Sequence, residues 1–227
     1  MLLLFHPVQV AARHLFGDLP RKKTVDFLNL LLVRGLHIVG CRIKFQGFEK
    51  IPAGRPLVIV SNHQSLYDIP PVVVGFKQYY PKFISKKELS KNLPSISYNL
   101  KYGKSALIDR ENATQAVKEI FRLGRLIEEN NYAACIFPEG TRSRTGRVKK
   151  FMSGGIHTLL RAAPSAVIVP FVIDGHSQLT EKGLFPLKFG QRITYTVLDP
   201  VEPGGRDIEE IVTQVQGAIK KALHQVD

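Results

Sequence analysis

The sequence predicts an α/β domain: a largely parallel mixed sheet flanked by helices, preceded by an amphipathic helical segment. Three observations lead there. Short apolar runs alternate with longer stretches in which apolar residues return every three to four positions, the pattern of buried strands joined by amphipathic helices. The 227 residues are 44% hydrophobic and 22% charged, with 18 Gly and 14 Pro, which excludes a disordered, collagen-like or coiled-coil chain. No stretch free of charged residues approaches the roughly 18 positions needed to cross a bilayer, so any membrane contact is expected to lie along the surface.

Taken in order, residues 1–40 differ from the rest. Val25 to Gly40 projects Val25, Phe27, Leu28, Leu31, Leu32, Leu36, Ile38 and Val39 onto one half of a helical wheel. Asp26, Asn29, Arg34 and His37 fall on the other half, just after the basic cluster Arg21-Lys22-Lys23. Two fates fit this pattern: in-plane insertion into an anionic membrane interface, or packing on the domain core. Residues 1–40 are therefore set apart as an N-terminal amphipathic membrane-association segment, and 41–227 as the catalytic-sized domain.

Within that domain the strand candidates are Ile43–Phe48, Leu57–Val60, Lys82–Ser85, Ala106–Ile108, Ala133–Phe137, Val167–Ile173 and Arg192–Leu198. Ala113–Asn130 reads as a helix with Ala116, Val117, Ile120, Phe121, Leu123 and Ile127 on one face. Arg206–Gln225 repeats the theme with Ile208, Ile211, Val212, Val215, Ile219 and Leu223. The two cysteines, Cys41 and Cys135, have no metal-ligand spacing, and Cys135 lies in an apolar run where an inert thiol is expected. No metal or resident cofactor is implied.

Two strand ends carry chemistry. Val58–Ser61 runs into Asn62, His63 and, five positions after the histidine, Asp68. At the C-terminal end of a parallel strand, where α/β folds build sites, a carboxylate can fold back onto an imidazole. It would fix the tautomer and leave the other ring nitrogen to take a proton from a hydroxyl. An asparagine cap with an incidental histidine is the bland alternative. Ala133–Phe137 empties into Pro138-Glu139-Gly140-Thr141-Arg142-Ser143, and positions 142–150 contain no acid. Arginine, hydroxyls and free amides in such a loop suit an anion; an exposed basic loop is the alternative. Gly103-Lys104-Ser105 is not the end of a P-loop, because Tyr98 stands where the leading glycine belongs. Serine-hydrolase, zincin and dinucleotide signatures are likewise missing.

Together these motifs resemble the glycerolipid acyltransferase family, and within it the bacterial 1-acylglycerol-3-phosphate (lysophosphatidic acid) acyltransferases. Asn62-His63 with Asp68 matches the family's first block, and Phe137 to Ser143 its third. Lys86-Lys87-Glu88-Leu89 with Gly103 to Arg110 resembles the second, and Ile168-Val169-Pro170-Phe171 the fourth. Phe151-Met152-Ser153-Gly154 departs from the family's F-K-x-G, so a contact from a lysine there would have to come from Lys149 or Lys150.

The resemblance implies acyl transfer from acyl-CoA or acyl carrier protein to the sn-2 hydroxyl of lysophosphatidic acid, giving phosphatidic acid. His63 would be the general base, oriented by Asp68. Glu139, Gly140, Thr141 and Arg142 would form the acceptor-phosphate site, with Arg110 a further candidate and Lys86 and Lys150 as additional basic contacts. Because a carboxylate repels phosphate, Glu139 is expected to position Arg142 or a substrate hydroxyl. Other acceptors of the same chemistry are glycerol-3-phosphate or another lysolipid. The resemblance also implies a monotopic protein on the cytoplasmic face of the inner membrane.

Charge agrees with an anionic partner: 32 Lys+Arg against 19 Asp+Glu leave +13. Lys82, Lys86, Lys87, Lys91, Lys101 and Lys104 are expected to form a docking face for anionic membrane lipids with the N-terminal helix. A non-catalytic basic lipid-binding or nucleic-acid-binding protein would carry similar charge. Nucleic acid is not expected as a partner, because zinc spacing, RNA motifs and tryptophan are missing.

Overall fold

The computed structural model describes residues 1–91 and 93–225; position 92 and positions 226–227 of the 41–227 span lie outside them. The sheet has seven strands among the described residues: β1 (Arg42–Gln46), β2 (Leu57–Ser61), β3 (Lys82–Lys86), β4 (Ala106–Ile108), β5 (Ala133–Ile136), β6 (Val167–Asp174) and β7 (Arg192–Val197). Their order is β1-β7-β6-β2-β5-β3-β4. Strands β2 to β6 run parallel and finish at one edge; β7 pairs antiparallel with β6, and β1 runs parallel to β7. Each strand lies within one or two residues of its expected range. Phe48 is the clearest departure, because Gly47 at φ 77° turns the chain out of β1 into a short 3-10 turn.

Strand alternation divides the core. Val58, Val60, Ala134, Ile136 and Ile168 face one side of the sheet, where helices α5 (Ala113–Asn130), α6 (Gly154–Ala162) and α8 (Ile208–Ala222) cover them. Leu57, Ile59, Cys135, Val169 and Phe171 face the other, against α3 (Ile69–Gly75) and the chain around Leu36 and Cys41. Both cysteines are free and buried, and burial pushes both thiols up; for Cys135 an inert thiol was the expectation. Two shorter helices complete the fold, α4 (Ile96–Tyr102) and α7 (His176–Leu179).

The N-terminal segment is a hairpin of α1 (Leu2–Phe16) and α2 (Asp18–Gly35), turning at Gly17 with φ 86°. The expected helix over Val25–Gly40 stops at Gly35. Its inward stripe is Val25, Leu28, Asn29 and Val33, which spaces correctly for packing on α3, while Phe27 is 54% exposed and Ile38 86%. Asn29 is tolerated inside because its Nδ2 donates to the Val25 carbonyl at 2.8 Å. The expected basic cluster is also corrected. Arg21 is fully buried, donating to Asp18, Asn99 and Tyr80 at 3.1, 2.9 and 2.6 Å. Lys82 likewise leaves the expected docking face: it is buried over the Tyr80 ring at 2.9 Å. Burial and the charge of Arg21 push its pKa down to about 6. No helix among the described residues is long and apolar enough to cross a membrane.

Candidate active site

The parallel strands deliver their loops to one edge, and His63 leaves β2 there. A capping box shapes the next residues: Ser65 caps the 3-10 turn Leu66–Asp68 and Asp68 reaches back to backbone amides. Pro70 and Pro71, preset for a helix start, then launch α3. This tight turn folds Asp68 back onto His63. Asp68 Oδ2 accepts from His63 Nδ1 at 2.7 Å, and from the amides of Gln64 and Ser65 at 2.6 and 2.9 Å. A carboxylate only accepts, so the His63 proton sits on Nδ1 and Nε2 is left as a base. Phe137 stacks on the imidazole with ring centroids 4.2 Å apart.

Asp68 has a second imidazole that sequence reasoning missed. His176, at the start of α7 just beyond β6, donates Nδ1–H to Asp68 Oδ1 at 2.6 Å. Its Nε2 lies 2.8 Å from the Tyr195 hydroxyl, and burial holds that phenol well above its usual range. Asp68, His176 and Tyr195 are each fully buried. Burial would raise the Asp68 pKa, but the hydrogen bonds from His176 and His63 outweigh it and hold the carboxyl below its ordinary value. The strand-end rule that singled out His63 applies equally to β6, whose exit reads Asp174-Gly175-His176.

The loop after β5 meets the same edge. Of the two roles expected of Glu139, the pairing with Arg142 is not seen among the described residues. Glu139 Oε1 accepts the His63 amide at 2.8 Å and its Oε2 the Lys149 amide at 3.2 Å, so it splints the two loops together. Burial raises its pKa, against the two amide bonds. The Ser143 amide donates to the His63 carbonyl at 2.7 Å, a second tie. Gly146, at φ 78°, lets the loop close on α7; a Cβ there would come within 2.6 Å of Ser177 Oγ. Asn62 bonds both the amide and the carbonyl of Ile173, locking β2 to β6 beneath the dyad.

The cations are distributed along this edge in strand order. Thr141 and Arg142 are exposed beside the dyad, and Lys149 Nζ donates to Thr141 Oγ1 and the Arg142 carbonyl, each at 3.0 Å. Of the two lysines expected here, Lys149 is tied to the loop through these bonds, and Lys150 beside it is exposed. Lys86 ends β3 and Arg110 follows β4, both exposed. At about 4.8 Å per strand, they stand roughly 10 and 14 Å from β2 along the edge.

The acyltransferase family model matches residues 42–174. The chain belongs to the acyltransferase family. This acyltransferase is 26% identical over 194 residues to the 1-acyl-sn-glycerol-3-phosphate acyltransferase alpha of Mus musculus, covering 83% of the chain and 65% of the relative. It is 29% identical over 200 residues to the 1-acyl-sn-glycerol-3-phosphate acyltransferase of Limnanthes douglasii, covering 84% and 64%. The alignments thus span slightly less than two thirds of either relative. In fold it resembles the crystal structure of the 1-acyl-sn-glycerophosphate (LPA) acyltransferase, PlsC, from Thermotoga maritima, with a TM-score of 0.77 at 23% identity over 99% of this chain and 89% of that one.

Proposed function

We propose that this acyltransferase moves a fatty acyl group from a thioester, acyl-CoA or acyl carrier protein, to the sn-2 hydroxyl of 1-acylglycerol-3-phosphate, forming phosphatidic acid. The observation that carries this reading is the His63–Asp68 dyad at 2.7 Å, with Nε2 unpaired among the described residues beside a basic strand-end loop. Two of the relatives matched are named for that reaction.

Nε2 of His63 takes the acceptor's hydroxyl proton as its oxygen attacks the thioester carbonyl. Collapse of the tetrahedral intermediate breaks the C–S bond, and the imidazolium returns the proton to the departing thiolate. Asp68, charged and held by its four donors, stabilises that imidazolium without taking the proton. A positioned base of this kind contributes roughly 10²–10⁴-fold. Arg142 and Lys149 hold the acceptor phosphate near the dyad, with Thr141 donating its hydroxyl and Gly140 giving the loop its left-handed turn at φ 69°. Lys150 adds attraction beside Lys149, and Lys86 and Arg110 farther along the edge.

The α1–α2 hairpin carries the membrane attachment in this reading, because it exposes Leu3, Leu4, Leu15 and Phe16 at 72–74%. Deleting 1–40 would strip Arg21 from Tyr80 and Asn99, so serine substitutions at those four positions test the attachment more cleanly. The reaction is tested by mass spectrometry of products in mixed micelles, offering lysophosphatidic acid, glycerol-3-phosphate and other lysolipids against both thioesters. Phosphatidic acid as the dominant product is expected. A different acylated product would move the acceptor assignment, and thiol release without any acceptor would replace the transferase reading with a thioesterase.

A further inference from the structure

Large apolar side chains are exposed at the sheet edge that holds the dyad. Strand β7 begins there, because Asp174 at the end of β6 is opposite Thr194, and β1 begins beside it with Arg42 paired to Arg192. The connection from α7 to β7, residues 180–191, therefore lies at the same edge as His63. It exposes Phe185 at 87%, Phe189 at 74% and Leu184 at 48%, and the neighbouring turn exposes Ile38 at 86%.

This connection is braced. Leu187 packs on the core, the Lys188 amide donates to the Leu179 carbonyl at 3.0 Å, and the Gly190 amide to the Val39 carbonyl at 2.9 Å. The Phe189 ring lies against Gly40, where a Cβ would come within 2.6 Å. A braced loop that presents two phenylalanines and a leucine to the outside marks a surface to be covered. Its charge says by what. Glu181 is taken up by Lys188 at 2.6 Å, leaving Lys182, Arg42 and Arg192 as exposed cations, with Asp174 the remaining acid of this strand end. Aromatic tips ringed by cations fit the interface of an anionic bilayer.

The geometry points to residues 182–190, with Ile38, as a membrane-inserting tip, separate from the α1–α2 hairpin, that turns the dyad's edge toward an anionic bilayer. This rests on the reading of the chain as an acyltransferase acting on a lipid acceptor. A single attachment leaves the domain free to rotate on the surface. A second one at the site edge holds His63 where an interfacial headgroup can reach it without the acceptor leaving the lipid.

These 227 residues contain no tryptophan, so Phe185→Trp in this chain is a single reporter. On vesicles of phosphatidylcholine with phosphatidylglycerol its emission is expected to shift to the blue and to be quenched by brominated acyl chains. A Phe121→Trp reporter on α5 is expected to do neither. Phe185→Ser with Phe189→Ser is expected to weaken vesicle binding about tenfold or more, and to slow turnover of bilayer-embedded acceptor while leaving a water-soluble short-chain acceptor unaffected. An unchanged Phe185→Trp spectrum on vesicles that sediment the protein would overturn the inference. So would a blue shift that follows protein concentration without lipid, which would mean a second copy covers the tip. Insertion without acyl transfer to any acceptor would uphold the tip and count against the functional reading instead.

Discussion

Replacing His176 with phenylalanine removes one of the four donors to Asp68 while keeping a ring of similar size in a site with no access to water. Two groups lose partners: Asp68 Oδ1, a charged acceptor, and the Tyr195 hydroxyl. A hydrogen bond to a charged group is worth about 1.5–3 kcal/mol and an orphaned buried hydroxyl costs about 1–3 kcal/mol, so the expected loss is roughly 3–5 kcal/mol. At about 2–4 °C per kcal/mol for a domain of this size, Tm should fall by roughly 6–20 °C. The pH dependence identifies the cause. The folded pKa of Asp68 is depressed, so its contribution is complete above the ordinary carboxylate range and is lost as pH falls through the folded value. In the variant, burial is less opposed and that pKa rises. Urea unfolding of both proteins should therefore show the widest gap at pH 7, narrowing as the variant's Asp68 protonates toward pH 4. A gap below about 1 kcal/mol, or one constant from pH 7 to 4, would refute the reasoning.

Other substitutions have equally direct outcomes. Lys82→Met should stabilise the protein by about 2 kcal/mol or more at pH 7, because the folded lysine titrates at about 6 while the unfolded one holds its proton to about 10. By the same sign, wild-type stability should rise with pH between those values and the variant's should not, as thermal melts at pH 7 and 9 would show. Glu139→Ala should lower kcat at least about tenfold by releasing the His63 and Lys149 amides, and Glu139→Gln, which keeps one acceptor oxygen, should lose less. Arg142→Ala should raise KM for the phosphate-bearing acceptor about tenfold with a smaller change in kcat, in steady-state assays that vary acceptor at saturating thioester.

What could be read before the structure was what local pattern controls. The parallel strands were legible because buried strands are continuous apolar runs, and His63 with Asp68 because a capping box is a short-range device within one turn. The pairing of His176 with Asp68, 108 positions apart, and of Tyr195 with His176 was not, since both depend on how β6 and β7 pack, although the strand-end position of His176 was itself readable. Charged residues misled for a related reason. Arg21 and Lys82 count as surface charge in any composition, yet Tyr80 and Asn99 receive Arg21 inside, and the Tyr80 ring receives Lys82. Residues 1–40 were read as one helical segment, and the break at Gly17 that folds them into the α1–α2 hairpin was not seen. The loop of Glu139 was legible but its two amide partners were not, as backbone amides leave no mark in sequence.

In the proposed reaction His63 is the base that activates an acceptor hydroxyl. Thiol release from an acyl thioester, followed with lysophosphatidic acid in mixed micelles for wild type and His63→Ala, tests it most directly. The expected result is release that depends on the acceptor, yields phosphatidic acid and falls roughly 10²–10⁴-fold in a variant that stays folded. Acceptor-dependent release at the wild-type rate in His63→Ala would contradict it.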